Sequence, residues 1–180
     1  MTNPPDQLRT ERLLLRRWHA EDAPLLKDAI DSSLAHLQEW MPWAMSEPTP
    51  VELIRERLTA FSGQFDRGEE WLYGVFAPDG SRVIGGTGLH RRIALTGLEI
   101  GYWIRLTDVR HGYATEAASA MTRVALTMPG IDHAEIRCDP GNTISAAIPR
   151  RLGYVQIDTI VEQGAAPDGG PRATTIWRMQ

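Results

Sequence analysis

Residues 98–128, LEIGYWIRLTDVRHGYATEAASAMTRVALTM, decide the fold. Their first part alternates, which puts four apolar side chains on one face of a strand: Leu98, Ile100, Tyr102 and Ile104. Their last part repeats apolar residues at steps of three and four, which predicts a helix with the buried stripe Ala114, Ala117, Ala118, Met121, Ala125 and Met128. The stretch therefore predicts a strand, a polar turn and a helix in direct succession.

The polar turn between strand and helix, Val109–Thr115, contains a single glycine, Gly112. A helix start has unpaired backbone amides and about half a positive charge, so it attracts phosphate. Arg105, Arg110 and His111 bring basic side chains to the same region. The turn is a candidate phosphate site, although an ordinary α/β unit without a ligand shows the same pattern.

The composition is that of a globular chain. The 180 residues are 42% apolar and 23% charged with a net charge of -4, and no Lys/Arg run stands out, which argues against a protein that coats nucleic acid. A single cysteine, Cys138, excludes an intrachain disulfide, and the five His show no metal-ligand spacing. Since neither a membrane-length apolar run nor a signal-peptide core is found, the expected compartment is the cytoplasm and no membrane partner is expected.

The rest of the chain adds elements to one domain, predicted to extend over residues 1–180. Six further strands are predicted at 13–18, 71–77, 82–90, 133–139, 154–161 and 173–179. Helices are predicted at 20–30, 51–65 and 143–152, and a loose polar arm at 1–7. The predicted fold class is α/β (α+β), with a mixed sheet of six to seven strands and helices on both faces.

The turn and the strand before it carry a more specific pattern, in the segments YWIR (102–105) and HGYATEA (111–117). These segments resemble the acyl-CoA-binding motif of the GNAT superfamily of N-acetyltransferases, Q/R-x-x-G-x-G/A, which falls on residues 109–114. Gly112 and Ala114 match the motif. Val109 stands where the family has Gln or Arg, so we expect the backbone to make that contact and Arg110 to supply the charge.

A second segment, Asn142-Thr143-Ile144-Ser145 followed by Leu152-Gly153-Tyr154, resembles the N-x-x-S…L-G-F/Y segment of the same superfamily. By itself N-x-x-S is typical of a helix cap. Beside the first motif, the N-x-x-S residues Asn142 and Ser145 are interpreted as part of a site. Pro149 removes the helical donor of the Ser145 carbonyl, which makes the helix irregular at Ser145, unless water satisfies that carbonyl.

The flanks LLLRRWHAEDA (13–23) and HLQEWMPW (36–43) resemble the branch that contains the ribosomal-protein N-terminal acetyltransferases. The spacing of Cys138 and Ser145 is similar to that branch as well. The resemblance covers nearly the whole chain. It implies a single GNAT-like domain whose central strand pair, ending near Ile104 and Cys138, is splayed into a cleft.

The resemblance also implies that acetyl-CoA is the co-substrate, with no metal, and that the acetyl group passes directly to a primary amine. The residues implied in binding it are Arg110, His111, Gly112, Tyr113, Ala114 and Thr115 at the pyrophosphate, and Tyr102, Trp103, Ile104 and Asn142 along the pantetheine arm. Ser145 would bind the same arm and donate a proton to the leaving sulfur. Cys138 is interpreted as a cleft-lining residue, because direct transfer needs no nucleophile.

Glu99 is the candidate general base, acting through water. It lies in the central strand, and a partly buried carboxylate binds a proton more readily than an exposed one. Glu162 and Asp139 are the alternatives, and any of the three can instead have a structural role.

Trp40 and Trp43 are candidates for the wall of the acceptor cleft, with a place in the core as the alternative. The expected acceptor is a protein N-terminal amine. A small amine similar to a polyamine or an aminoglycoside is the rival within the enzyme class. A CoA-sensing module without turnover is the rival outside it. A homodimer is a further expectation, and no nucleic-acid partner is expected.

Overall fold

Eight strands form one mixed sheet in the computed structural model, which describes residues 3–163 and 170–180. In chain order they are β1 (Gln7–Arg9), β2 (Leu14–Arg17), β3 (Glu70–Phe76), β4 (Val83–His90), β5 (Gly97–Ile104), β6 (His133–Cys138), β7 (Val155–Glu162) and β8 (Arg172–Met179). Across the sheet the order is β1-β2-β3-β4-β5-β6-β8-β7. The neighbours β5 and β6 are parallel, and the remaining described neighbours are antiparallel.

Helices cover both faces of the sheet. One layer contains α1 (Ala23–Asp31), α2 (Leu34–Trp40) and α3 (Val51–Arg67), and the other contains α4 (Tyr113–Thr127) and α5 (Thr143–Leu152). Helix α4 lies on β5 through fully buried alanines of the predicted stripe, Ala117, Ala118 and Ala125, whose small side chains allow close packing. Among the described residues, no helix is both long and apolar enough to cross a membrane.

The predicted mixed α/β sheet with helices on both faces is confirmed, with one strand more than expected. The extra strand is β1, which begins inside the segment predicted as a loose arm. The arm is instead held on β3, because two aromatic donors find acceptors there: the Tyr73 hydroxyl donates to the Pro5 carbonyl at 2.7 Å, and Trp71 Nε1 donates to Asn3 Oδ1 at 3.2 Å. Residues 1 and 2 lie outside the described residues.

Strands β5 and β6 diverge in the middle of the sheet. They pair only where Gly97–Glu99 meet His133–Glu135, although β5 continues to Ile104 and β6 to Cys138. Beyond Glu99, the edge of β5 that faces β6 has no strand partner within the described part of the chain. The predicted splayed pair is therefore confirmed, and it opens a cleft at the centre of the fold.

Candidate active site

The cleft contains a cavity of about 790 Å³. The residues predicted for acid–base chemistry and for the acceptor line this cavity together with most of those predicted for the pantetheine arm: Trp40, Trp43, Glu99, Tyr102, Trp103, Asn142 and Ser145. The side chain of Ile104 belongs instead to the buried core. The turn before α4 forms a separate part of the site, away from the cavity lining.

The turn leaves backbone amides free at the start of α4. Arg110 and Gly112 both have left-handed backbone conformations, with φ of 66° and 82°. The Glu116 N–H donates to the Gly112 carbonyl at 3.0 Å, whereas the N–H groups of residues 113–115 have no backbone acceptor among the described residues. These three amides and the exposed Arg110 side chain are suited to bind a phosphate group.

Arg12 anchors this turn to the segment before β2. Its Nη1 donates to the His111 carbonyl at 2.9 Å, and its Nη2 lies 2.7 Å from Glu116 Oε2. Its guanidinium lies 5.0 Å from the centroid of the Tyr113 ring, on which the His111 ring also stacks. The turn is thus held from outside by a residue far away in the sequence.

Arg105, before the turn, and Val109, its first residue, contribute no side-chain charge to the candidate phosphate site. Arg105 was predicted to do so, but its Nη1 lies 2.8 Å from Asp28 Oδ2 on α1, so that part of the prediction is wrong. Val109 packs its partly buried side chain against the core. Arg110 is exposed in the turn itself and has no ion-pair partner within the described residues. Its charge is therefore available at the free amides.

The start of α5 adds two polar groups to the cavity wall. Asn142 caps the helix, since its Oδ1 accepts from the Ser145 N–H at 2.9 Å. The cap uses only the oxygen, and no described residue accepts from the Asn142 amide nitrogen. The Oγ atom of Ser145 lies 3.2 Å from Tyr102 Oη. Capping and ligand binding are thus compatible here.

Tyr102 and Trp103 lie on opposite faces of β5 because side chains alternate along a strand. Tyr102 packs on the α4 side and Trp103 on the side of α1, α2 and α3. The indole of Trp103 lies over Gly86, where an added Cβ would stand 2.5 Å from its Nε1, so only glycine fits. Tyr102 and Trp103 thus line the cavity from opposite faces of β5.

The side chains of Trp40, at the end of α2, and Trp43, just after it, line the cavity, and neither belongs to the buried core. The ring of Trp43 is 36% exposed and lies 5.9 Å, between centroids, from that of Trp103. Trp40 is half-buried at the end of α2. Both residues therefore stand where an acceptor would bind, which favours the cleft-wall interpretation.

A family model described as an acetyltransferase (GNAT) domain matches residues 12–155. The match spans β5, the turn, α4 and the start of α5, so it contains both parts of the site. The chain belongs to the GNAT acetyltransferase family. It is an acyltransferase that transfers an acetyl group from acetyl-CoA to an amine, and the predicted enzyme class and co-substrate are confirmed.

This GNAT acetyltransferase is similar in sequence or in fold to other acetyltransferases. It is 28% identical over 163 residues to YdaF of Bacillus subtilis (strain 168), provisionally named a ribosomal N-acetyltransferase, covering 88% of this chain and 83% of YdaF. The ribosomal L7/L12 α-N-protein acetyltransferase RimL with coenzyme A is similar in fold, with a TM-score of 0.82, 19% identity and coverage of 99% and 97%. The microcin C7 self-immunity acetyltransferase MccE, with acetyl-CoA and AMP, has a TM-score of 0.85, 15% identity and coverage of 97% and 96%.

Cys138 is poorly suited to be a nucleophile in this acetyltransferase. Burial raises the pKa of the Cys138 thiol, and interactions with Trp177 and Ser145 offset this only in part. A thiol that stays protonated is a weak nucleophile, which favours direct transfer. In the described part of the chain, no cluster of His, Cys, Asp and Glu could hold a metal ion.

Glu99, the predicted base, is buried at the edge of the cavity and already paired. Arg92 binds both carboxylate oxygens, with Nη2 2.5 Å from Oε1 and Nε 3.0 Å from Oε2, and Arg137 Nε lies 3.7 Å from Oε2. Glu99 is therefore held in place as an ion-paired carboxylate at the edge of the cavity. Glu162 and Asp139 also line the cavity, and Glu162 has no ion-pair partner among the described residues.

Several polar residues of the cavity were not predicted from the sequence, among them His90 and Arg172. The Nδ1 atom of His90 lies 3.2 Å from Glu70 Oε1, and this contact lowers the pKa of the Glu70 carboxyl. The pairing of β3 with β4 puts His90 directly opposite Glu70, which becomes visible only when the two strands are aligned. Arg172 donates from Nη2 to the Trp40 carbonyl at 2.9 Å and so links β8 to the end of α2.

Proposed function

We propose that this acetyltransferase acylates the N-terminal amine of a protein. A second cavity of about 290 Å³ adjoins the main one, and both are lined by Trp40, Pro42, Asp139 and Arg172. A polypeptide acceptor needs room for the residues that follow its amine, whereas a small amine does not. This second cavity carries the proposal, and the acceptors named for YdaF and RimL support it.

The chain offers groups for the pyrophosphate and for the pantetheine arm of acetyl-CoA, which supplies the activated acyl group. The free amides of residues 113–115, with Arg110 and the exposed His111, would bind the pyrophosphate. The unpartnered edge of β5 would bind the pantetheine arm as an added strand, and a backbone N–H of that edge would face the oxyanion. The free amide nitrogen of Asn142 would donate to the same arm.

The proposed chemistry is a direct displacement at the thioester carbonyl. The amine nitrogen forms a bond to the carbonyl carbon, the carbon–sulfur bond breaks, and its electron pair stays on sulfur. Glu99 accepts the amine proton through a water, while Ser145 donates a proton to the sulfur. Glu99 then releases its proton to water and Ser145 recovers one from water, so the proton that the amine loses balances the one that the thiol gains.

The acceptor is tested with peptides that share one first residue, serine, and increase from the amino-acid amide to a hexapeptide. Thiol release and mass detection are compared with spermidine and kanamycin as small amines. We expect kcat/KM to rise at least about tenfold along the peptide series, because binding energy from remote residues contributes to the transition state. No rise with length, together with faster turnover of a small amine, contradicts the proposal.

Trp43→Ala tests the position of the acceptor within the same assay. We expect a higher KM for the hexapeptide and an unchanged KM for acetyl-CoA. Met45→Ala is the matched control, because Met45 is exposed on the same short helical turn and does not line the cavity. Equal effects of the two substitutions would contradict an acceptor wall at Trp43.

The same proposal implies a cytoplasmic enzyme, since acetyl-CoA and newly made protein N-termini are found together there. It requires neither a nucleic-acid nor a membrane partner. Homodimer formation stays a prediction.

A further inference from the structure

The phenol of Tyr102 makes contacts that a pantetheine-binding residue does not need. Its Oη lies 3.2 Å from Ser145 Oγ and 3.4 Å from the Ser145 carbonyl oxygen. Pro149 stands inside α5 four residues after Ser145, so that carbonyl has no helical N–H donor. One phenol therefore faces both the proposed acid and the backbone oxygen that Pro149 leaves open.

The geometry points to Tyr102 as a positioning residue that holds the Ser145 hydroxyl as a donor to the leaving sulfur. This inference rests on the proposed role of Ser145. The carbonyl oxygen can only accept, so it favours an orientation in which the Tyr102 proton points toward Ser145. In that orientation the single phenol proton is shared between the Ser145 carbonyl oxygen and Ser145 Oγ, so Oγ accepts from Tyr102 and the serine proton is left free to point into the cavity.

Tyr102 carries its proton when the reaction begins. Burial raises the pKa of the Tyr102 phenol, and the hydrogen bond with Ser145 lowers it only in part. The thiol of Cys138, the other neighbour of Ser145, also stays protonated, so no thiolate competes for the serine proton. As charge develops on sulfur, the serine proton moves to it, and the hydrogen bond from Tyr102 to Ser145 Oγ strengthens. The contact is therefore most stabilising in the transition state.

Tyr102→Phe removes the phenol oxygen and keeps the ring. We expect the single-turnover rate of acetyl transfer to fall about tenfold, with unchanged affinity for acetyl-CoA. Ser145→Ala should lower the rate at least as much, and adding Tyr102→Phe to it should cause no further loss, because both changes remove one hydrogen-bonded unit.

Tyr154→Phe is the matched control for loss of a buried phenol. The Tyr154 hydroxyl lies 2.7 Å from Thr122 Oγ1 in the core, away from the cavity. We expect this variant to shift the unfolding midpoint without changing the single-turnover rate.

Each failure has its own signature. A wild-type rate for Ser145→Ala overturns the acid role of Ser145 and the inference with it. A slow Ser145→Ala beside a wild-type rate for Tyr102→Phe overturns the inference alone. Equal rate losses from Tyr102→Phe in the presence and absence of Ser145 also overturn it, because Tyr102 would then act independently of Ser145.

Discussion

At the scale of single residues, the partners of a side chain decide its chemistry more than its burial does. Glu99 is buried in the central strand, as the sequence suggests, but Arg92 and Arg137 surround its carboxylate. Glu162 faces the same cavity without an ion-pair partner in the described part of the chain. The choice of base is therefore a competition between a central, paired carboxylate and a peripheral, unpaired one.

Glu99→Gln and Glu162→Gln separate these two carboxylates. If Glu99 is the base, Glu99→Gln should lower kcat/KM about a hundredfold, while Glu162→Gln stays near the wild-type value. The matched measurement is the pH profile of kcat/KM, whose acidic limb should change only in the variant that lacks the base. A hundredfold loss in Glu162→Gln with an intact Glu99→Gln would assign the base to β7.

At the scale of elements, the turn before α4 is built for exposed backbone amides. Gly112 has φ of 82°, and an added Cβ would meet only Arg12 Nη2, at 3.4 Å. A side chain at this position would therefore lie beside Arg12, at the start of the helix whose first amides are free. The turn is anchored by Arg12 and Glu116, so it need not be ordered by the co-substrate.

Gly112→Asp should weaken CoA binding at least about tenfold, because a carboxylate would repel the pyrophosphate where the amides attract it. Gly130→Asp is the control for backbone strain, since Gly130 has φ of 80° with open space around it. Both variants carry the left-handed penalty of about 1–2 kcal/mol. Calorimetric CoA affinity that is unchanged in Gly112→Asp, or equally reduced in both, would exclude a phosphate site at the turn.

At the scale of the whole molecule, a ladder of charges lies behind the cleft. Glu135 on β6 lies opposite Glu99 on β5, at the last paired position before the two strands diverge. Arg137 and Arg178 bind the Glu135 carboxylate at 2.9 Å and 2.7 Å. Burial alone would raise the pKa of the Glu135 carboxyl, but hydrogen bonds from Arg178 and Arg137 outweigh it and lower the pKa. The folded state therefore holds this carboxylate ionised to a lower pH than the unfolded chain does.

Acid should accordingly destabilise the fold through Glu135. In the unfolded state Glu135 takes up a proton near the ordinary pKa of 4.5. Its contribution to the free energy of unfolding is therefore fully present above that pH and is lost as the pH falls toward the lowered pKa of the folded state. The urea midpoint, measured between pH 7 and pH 3, should decrease below about pH 4.5. Glu135→Gln should be less stable at pH 7 and should depend less on pH. An equally steep acid loss in this variant would assign the effect to other carboxylates.

The sequence by itself determined the elements and the family. Seven of the eight strands, the helix stripe of α4 and the turn with Gly112 follow from periodicity and from local backbone preferences, which act over a few residues. The motif segments around Gly112 and Asn142 predict an acetyl-CoA site for the same reason, since each motif is a local pattern of a few residues. The strand β1 was missed because three residues give no periodic signal.

Only the tertiary structure decided which side chains meet at the site. Arg12 and Glu116 are 104 positions apart, and Tyr102 and Ser145 are 43 apart, yet each pair is in contact. Arg105 is likewise paired with Asp28 and Arg92 with Glu99, and neither pair follows from the local sequence. Such contacts depend on strand register, on the divergence of β5 from β6 and on competition among several possible partners. None of these quantities is a property of a local stretch of sequence, so the three-dimensional packing determines them.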